Sequence, residues 1–282
     1  MNIFDVIYSA IYGIIQGISE WLPISSTGHL LLAENIIPFG GDLSPSFFDM
    51  FKVVIQLGSI LAVVVIYFNN LNPFALKKSA EEKKSTWNLW GKILVASVPA
   101  GIIGFVFEDA IDNILSPNWI IAVALIVYGV LFIVSGKWGR KVTVETSSGI
   151  TYKLAFLMGC CQMLALIPGT SRSGSTILGA ILLLGMSRAV AAEFSFYMAI
   201  PVMFGASALK LLGGASDMGG AEWGILLIGS VVSFAVSMVV IKFLLSYIRK
   251  HDFKVFGYYR IVLGIIVLAL IFANILPADS LA

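Results

Sequence analysis

Six apolar stretches of membrane-crossing length recur along the chain, at about 47–68, 90–107, 118–136, 189–212, 222–246 and 257–276. Each approaches the roughly 20 residues that a helix needs to span the hydrocarbon core of a bilayer. Two further apolar regions, about 3–38 and 154–185, are interrupted midway, the first at "LPISSTGH" and the second at "IPGTSRSGST". Pro, Gly and a run of hydroxyls cannot continue a lipid-facing helix. Their backbone would be left unpaired in hydrocarbon, and it is tolerated at membrane depth only where protein or a wet cavity satisfies it. The pattern predicts an all-α polytopic membrane protein: six transmembrane helices plus two re-entrant helical hairpins, in one integral domain, 1–282.

Charge between the spans orients them. Lys77, Lys78, Lys83, Lys84 and Lys92 fall in 69–92; Lys137, Arg140, Lys141 and Lys153 in 137–153; Lys242, Arg249, Lys250, Lys254 and Arg260 in 242–260. The alternating loops, 108–117 and 213–221, carry Glu108, Asp109, Asp112 and Asp217 and no Lys or Arg. By the positive-inside rule the three basic segments are cytoplasmic and both termini lie outside. The first hairpin then enters from outside and the second from the cytoplasm. No Lys or Arg precedes Lys52, so we expect no cleavable signal.

A shift of 146 positions overlays the two broken regions: Gly13 meets Gly159, Gln16 meets Gln162, Ser25 meets Ser171 and Gly28 meets Gly174. Opposite insertion with this similarity predicts an inverted-topology repeat, about 1–136 and 150–276. Such repeats bring broken helices together near the midplane, with half-helix N-termini aimed at an anion.

Composition agrees. The chain is 59% hydrophobic with only 12% charged residues, too few for the surface of a soluble domain. A net charge of +2 gives no sign of a nucleic-acid partner. The cysteines, Cys160 and Cys161, are adjacent in an apolar stretch and read as packing thiols. Gly-rich spans are compatible with a homodimer.

The candidate chemistry lies in the two breaks. Gln16 and Glu20 are i,i+4 and share a helix face, and Ser26 and His29 are i,i+3. "SSTGH" reads as a turn followed by a fresh helix start, capped by Ser or Thr, whose free N–H groups suit a phosphate. In the second break Arg172 stands between Ser171 and Ser173, with Thr176 one turn on. An Arg near the bilayer centre costs about 2.5–3.5 kcal/mol on insertion scales, so it needs a reason. Its planar fork suits phosphate, and the hydroxyls of Ser25, Thr27, Ser171, Ser173 and Thr176 complete an oxyanion cradle. A nucleophilic hydroxyl, an imidazole, a carboxylate and a guanidinium together fit phosphoryl transfer. Zinc lacks ligands; Mg²⁺ or Ca²⁺ bridging Glu20 and substrate phosphates is the more natural cation.

Other assignments remain open. Arg172 can pair with Glu193 as a structural bridge. Glu20 can sit at the lipid interface beside Trp21. Asp49 and Lys52 form a neutralising i,i+3 pair on a stripe with Gln56, and His251 lies in a basic, solvated loop.

"GIIQGISEWLPISSTGH", "VVIQLGSILAVV", "PGTSRSGSTI" and "AEFSFYMAIP" resemble the undecaprenyl-diphosphatase family, also called bacitracin resistance proteins, over essentially the whole chain. The resemblance implies removal of the terminal phosphate from undecaprenyl diphosphate in the bacterial plasma membrane. That reaction recycles the lipid carrier of peptidoglycan synthesis. The family's Glu/Gln-x-x-x-Glu motif falls on Gln16 and Glu20, its Ser and His on Ser26 and His29, and its Pro-Gly-x-Ser-Arg-Ser-x-x-Thr motif on Pro168 to Thr176. Gln16 supplies an amide oxygen to a metal but no charge. The residue inventory suggests Arg172 as diphosphate clamp, Ser26 as nucleophile with His29 as proton acceptor and later donor, and Glu20 orienting His29 or holding the cation. His29 as nucleophile is the alternative within the class, and a transporter or flippase of a polyprenyl phosphate is the alternative outside it. With the carrier diphosphate left on the outer face, the active site is expected to open outward.

Overall fold

The computed structural model describes residues 2–39, 43–44, 47–107, 114–115, 117–138 and 140–278. These residues form helices and turns, with a single isolated bridge between Val144 and Met186. α1 is Ile3–Ser19, opened by a capping box between Asn2 and Asp5. α2 is Ser26–Ile36, α3 Phe47–Ile66, and α4 a single turn, Phe68–Leu71. α5 is Ala80–Val106, α6 Asn118–Trp138, α7 Tyr152–Met163 and α8 Arg172–Leu182. α9 is Arg188–Gly214, α10 Gly220–Lys250 and α11 Lys254–Phe272.

α3, α5, α6, α9, α10 and α11 are long and apolar enough to cross a membrane, and they match the six expected spans. Their boundaries move for local reasons. α5 starts at Ala80, upstream of the expected 90, because Ser79 and Glu82 form a capping box that launches the helix in polar sequence. Lys83, Lys84 and Lys92 are therefore helical rather than loop residues. Lys242, Arg249 and Lys250 likewise ride the end of α10. Arg260, expected in the basic segment, is instead fully buried within α11. Glu108, Asp109 and Asp112 lie outside the described residues. Asp49 and Lys52 do pair, at 2.9 Å, and Lys52 also reaches Glu34 at 3.4 Å.

The helices pack in a row: α1 lies on α10, α10 on α3, α3 on α9, α9 on α5, and α5 on α7, while α6 pairs with α11. Lipid offers no hydrophobic drive between helices, so close approach of small residues and internal polar contacts hold such bundles. A Cβ at Gly13 would collide with the carbonyl of Gly229 on α10, and one at Gly159 with the carbonyl of Ala96 on α5. Inside the bundle Ser59 bonds Ser233 at 2.7 Å and Ser237 at 3.2 Å. The outer faces present apolar side chains such as Leu227, Val239 and Ile265.

Candidate active site

The site is made where the two broken regions meet. α1 stops at Glu20, and the chain turns through Pro23 before α2 begins. Ser25 holds φ at +75°, a region costly for a residue with a Cβ. There its hydroxyl accepts from the Gly28 N–H at 3.4 Å and caps α2. The second break repeats the device. Gly169 takes φ +89°, Ser171 takes φ +71°, and the Ser171 hydroxyl accepts from the Gly174 N–H at 3.2 Å to cap α8. Ser26 and Arg172 are thus the first residues of helices built in the same way.

Between the two helix starts sits the Glu20 carboxylate, 8% exposed. Oε1 accepts from Arg172 Nη2 at 2.9 Å. Oε2 accepts from Gln16 Nε2 at 2.9 Å and from the Ser26 hydroxyl at 3.2 Å. Arg172 also donates from Nη1 to the Ser195 carbonyl at 2.9 Å and lies 5.4 Å from the ring centre of Trp21. The Ser173 hydroxyl ties the Glu20 carbonyl at 3.2 Å. A cavity of about 140 Å³ opens onto this cluster, lined by Glu20, Ser26, Thr27, Gln56, Ser171 and Arg172 among others.

Several contacts left open by the sequence are not made. Arg172 pairs with Glu20 instead of Glu193, whose carboxylate accepts from Ser147 at 3.1 Å and Tyr197 at 2.7 Å. Trp21 is wholly buried, so Glu20 is not at a lipid interface. Ser26 donates to Glu20 rather than to His29. His29 is turned the other way: Nδ1 is 2.7 Å from the Ser25 carbonyl, and Nε2 is 2.7 Å from the Tyr259 hydroxyl. The two rings stack 5.6 Å apart. Glu20 therefore does not orient His29. Of the hydroxyl cradle, Thr27 and Ser171 line the cavity, while Ser25, Ser173 and Thr176 are fully buried. Thr176 bonds the Arg172 carbonyl at 2.8 Å and the Ser195 hydroxyl at 2.6 Å, which secures α8 to α9.

Among the described residues no three or more His, Cys, Asp and Glu side chains form a group that could hold a metal ion. A hard cation that draws most of its ligands from substrate and water needs less. Gln16 Oε1, buried and without a hydrogen-bond partner, and the Glu20 carboxylate offer it two oxygens.

Arg260 and Tyr259 are the residues that sequence reasoning missed. A signal for Arg260 was present: it interrupts the apolar run "YYRIVLGIIVLAL", and an intramembrane Arg is a functional pointer by default. Tyr259 carries no comparable mark.

The chain matches the family described as bacitracin resistance protein BacA over residues 9–266. It is 55% identical to undecaprenyl-diphosphatase 1 of Clostridioides difficile over 271 residues, which cover 96% of this chain and 98% of the relative. It is 54% identical to the undecaprenyl-diphosphatase of Enterococcus faecalis (92% and 94% covered) and 52% identical to that of Acetivibrio thermocellus (93% and 96% covered). With breaks and spans placed along the whole matched length, this chain belongs to the bacitracin resistance protein BacA family.

Proposed function

We propose that this protein hydrolyses undecaprenyl diphosphate to undecaprenyl phosphate and inorganic phosphate, recycling the lipid carrier and so supporting bacitracin resistance. The observation that carries the site assignment is the meeting of a hydroxyl, a carboxylate and a guanidinium, Ser26–Glu20–Arg172, at two helix N-termini beside one cavity.

The mechanism follows from what each group can donate or accept. The terminal phosphate takes the Arg172 fork and the free N–H groups of α2 and α8. In doing so it competes with Glu20 for Arg172 and frees that carboxylate to accept a proton. The Ser26 oxygen then attacks the terminal phosphorus, its proton passes to Glu20, and the bond to the bridging oxygen breaks. Undecaprenyl phosphate leaves, taking the proton from Glu20. Water then gives a proton to the freed Glu20 carboxylate and attacks the phosphoserine, the bond from phosphorus to the Ser26 oxygen breaks, and Glu20 returns the proton to Ser26 as inorganic phosphate leaves. Gln16 and Glu20 would hold a divalent cation, Mg²⁺ or Ca²⁺, which would neutralise diphosphate charge. His29 as nucleophile is the less favoured variant, since both its ring nitrogens are engaged away from Ser26.

In the architecture we propose, 1–136 and 150–276 are inverted repeats carrying opposed re-entrant hairpins, within one domain, with both termini and the cleft on the outer side of the plasma membrane. Supporting this, residues 146 apart fall on α1 and α7, α2 and α8, α3 and α9, and α5 and α10, and the packing order reads alike from both ends. Loop charge supports the orientation.

The test is phosphate release by purified protein from the lipid diphosphate. Ser26→Ala should abolish it. Undiminished release by that variant overturns the mechanism, and loss of lipid movement with release intact would favour a transporter.

A further inference from the structure

Arg260 is fully buried in the middle of the protein and makes no ion pair with any described residue. Its guanidinium is spent on backbone. Nη2 donates to the Gly169 carbonyl at 2.7 Å and Nη1 to the Pro23 carbonyl at 3.2 Å. Weaker contacts at 3.5 Å run to the carbonyls of Ala124 and Leu125 on α6. The rings of Tyr128 and Phe132, 5.5 and 6.0 Å away, bound the guanidinium from α6. A Cβ at Gly174 would stand 3.5 Å from Nη1, so the guanidinium also abuts the first turn of α8.

The two strong acceptors are not arbitrary. Pro23 lies in the first break three positions before Ser26, and Gly169 lies in the second break three positions before Arg172. They are separated by the same 146 positions that relate the two broken regions. One rigid fork on α11 therefore grips corresponding carbonyls of both breaks. Each break is irregular backbone, whose carbonyls have no helical partner and must be satisfied internally. Planar donors in fixed geometry hold two acceptors at one separation, which a flexible ammonium does not.

We propose that Arg260 is a positioning residue for phosphoryl transfer: by gripping Pro23 and Gly169 together it sets the distance between the Ser26 hydroxyl and the Arg172 guanidinium. The inference rests on the roles given above to Ser26 and Arg172. It differs from a purely structural role in what it predicts. A misplaced reacting group loses rate without losing substrate affinity, and a displacement near 1 Å is worth about 10²-fold.

Arg260→Lys, Arg260→Gln and Arg260→Met should be purified in detergent, with folded yield and melting temperature measured beside steady-state kinetics on the lipid diphosphate. Ser26→Ala and Arg172→Lys serve in the same assay. We expect Arg260→Lys to fold, with kcat down by about 10-fold to 10²-fold and KM within about threefold, and the Gln and Met variants to be slower still. In an Arg172→Lys background, Arg260→Lys should cost less than it does alone, because the clamp it positions is already impaired. Unchanged kcat in folded Lys and Gln variants overturns the proposal. Loss of folded protein in all three variants, or activity falling only in step with folded yield, assigns Arg260 to folding alone and overturns it too. Full activity of Ser26→Ala and Arg172→Lys would instead remove the underlying site assignment, whatever Arg260 does.

Discussion

Glu20 and Arg172 stand 152 positions apart in sequence and meet at 2.9 Å, one from each broken region. Both are mostly buried, at 8% and 13% side-chain exposure, and each is the other's counter-charge. The pair ties the break that carries Ser26 to the break that carries Arg172.

The two members should fail differently. Glu20→Gln leaves the Arg172 guanidinium buried with only a carbonyl and amide-type acceptors, and breaking a buried pair from one side costs about 3–5 kcal/mol. We predict loss of both activity and thermal stability. Arg172→Ala leaves Glu20 with donors from Gln16 and Ser26, so its effect should fall mainly on catalysis, at about 3–4 kcal/mol of transition-state stabilisation. Arg172→Lys restores charge without the fork and should recover part of the rate. Melting curves and kcat/KM on the same preparations check this. Wild-type turnover of the alanine variant would remove the clamp role.

The hydroxyl that attacks should be identifiable chemically. A phosphorylated intermediate on Ser26 is acid-stable, whereas one on His29 is acid-labile. We predict that rapid acid quenching traps label at Ser26. We also predict that His29→Gln slows turnover by less than Ser26→Ala. Acid-labile label confined to His29 would reverse the two roles.

The caps at Ser25 and Ser171 give a test of the local fold. Both hold positive φ and both use the hydroxyl as an N-cap. Glycine accepts that φ and costs a cap only a few tenths of a kcal/mol, whereas alanine at a cap costs about 0.5–2 kcal/mol and here also pays for φ. Ser25→Ala and Ser171→Ala should therefore melt below Ser25→Gly and Ser171→Gly. Equal melting of the alanine and glycine variants would contradict the assigned backbone.

Shorter prenyl tails should be accepted. In the proposed function the diphosphate is held by the polar and charged residues of the cavity, among them Arg172 and Ser171, while the tail adds apolar contact of about 0.8 kcal/mol per buried CH₂. We predict measurable hydrolysis of farnesyl diphosphate in detergent, with a raised KM. No release from any tail shorter than the full carrier would show that the tail is read directly.

Thr27, which is exposed and lines the cavity, reports the side of opening. In a Cys160→Ser, Cys161→Ser background, Thr27→Cys should react with a membrane-impermeant thiol reagent added to intact cells. Excess lipid diphosphate should protect it. Labelling only in inverted vesicles would place phosphate release in the cytoplasm.

Which parts of this protein were legible in the amino-acid order depends on the range of the physics involved. Span length, helix-breaking residues and loop charge are local properties, so the six long helices and the two interruptions could be read directly, down to Ser25 and Ser171 as 146-spaced counterparts. Even the boundary of α5 was in principle local, since Ser79 and Glu82 write a capping box. Partnership is not local. Arg172 has Glu193 nearby in sequence, but only the meeting of the two breaks in the fold delivers Glu20 to it. The i,i+3 spacing of Ser26 and His29 suggested a pair, yet in the fold the two side chains diverge. The interior side offers Ser26 the Glu20 carboxylate, and α11 offers His29 the Tyr259 hydroxyl. Arg260 was misassigned for the same reason. Its neighbours in sequence mark the edge of a basic segment, and only the tertiary structure closes α6, α11 and both breaks around it, where unpaired carbonyls stabilise a charge that lipid would not.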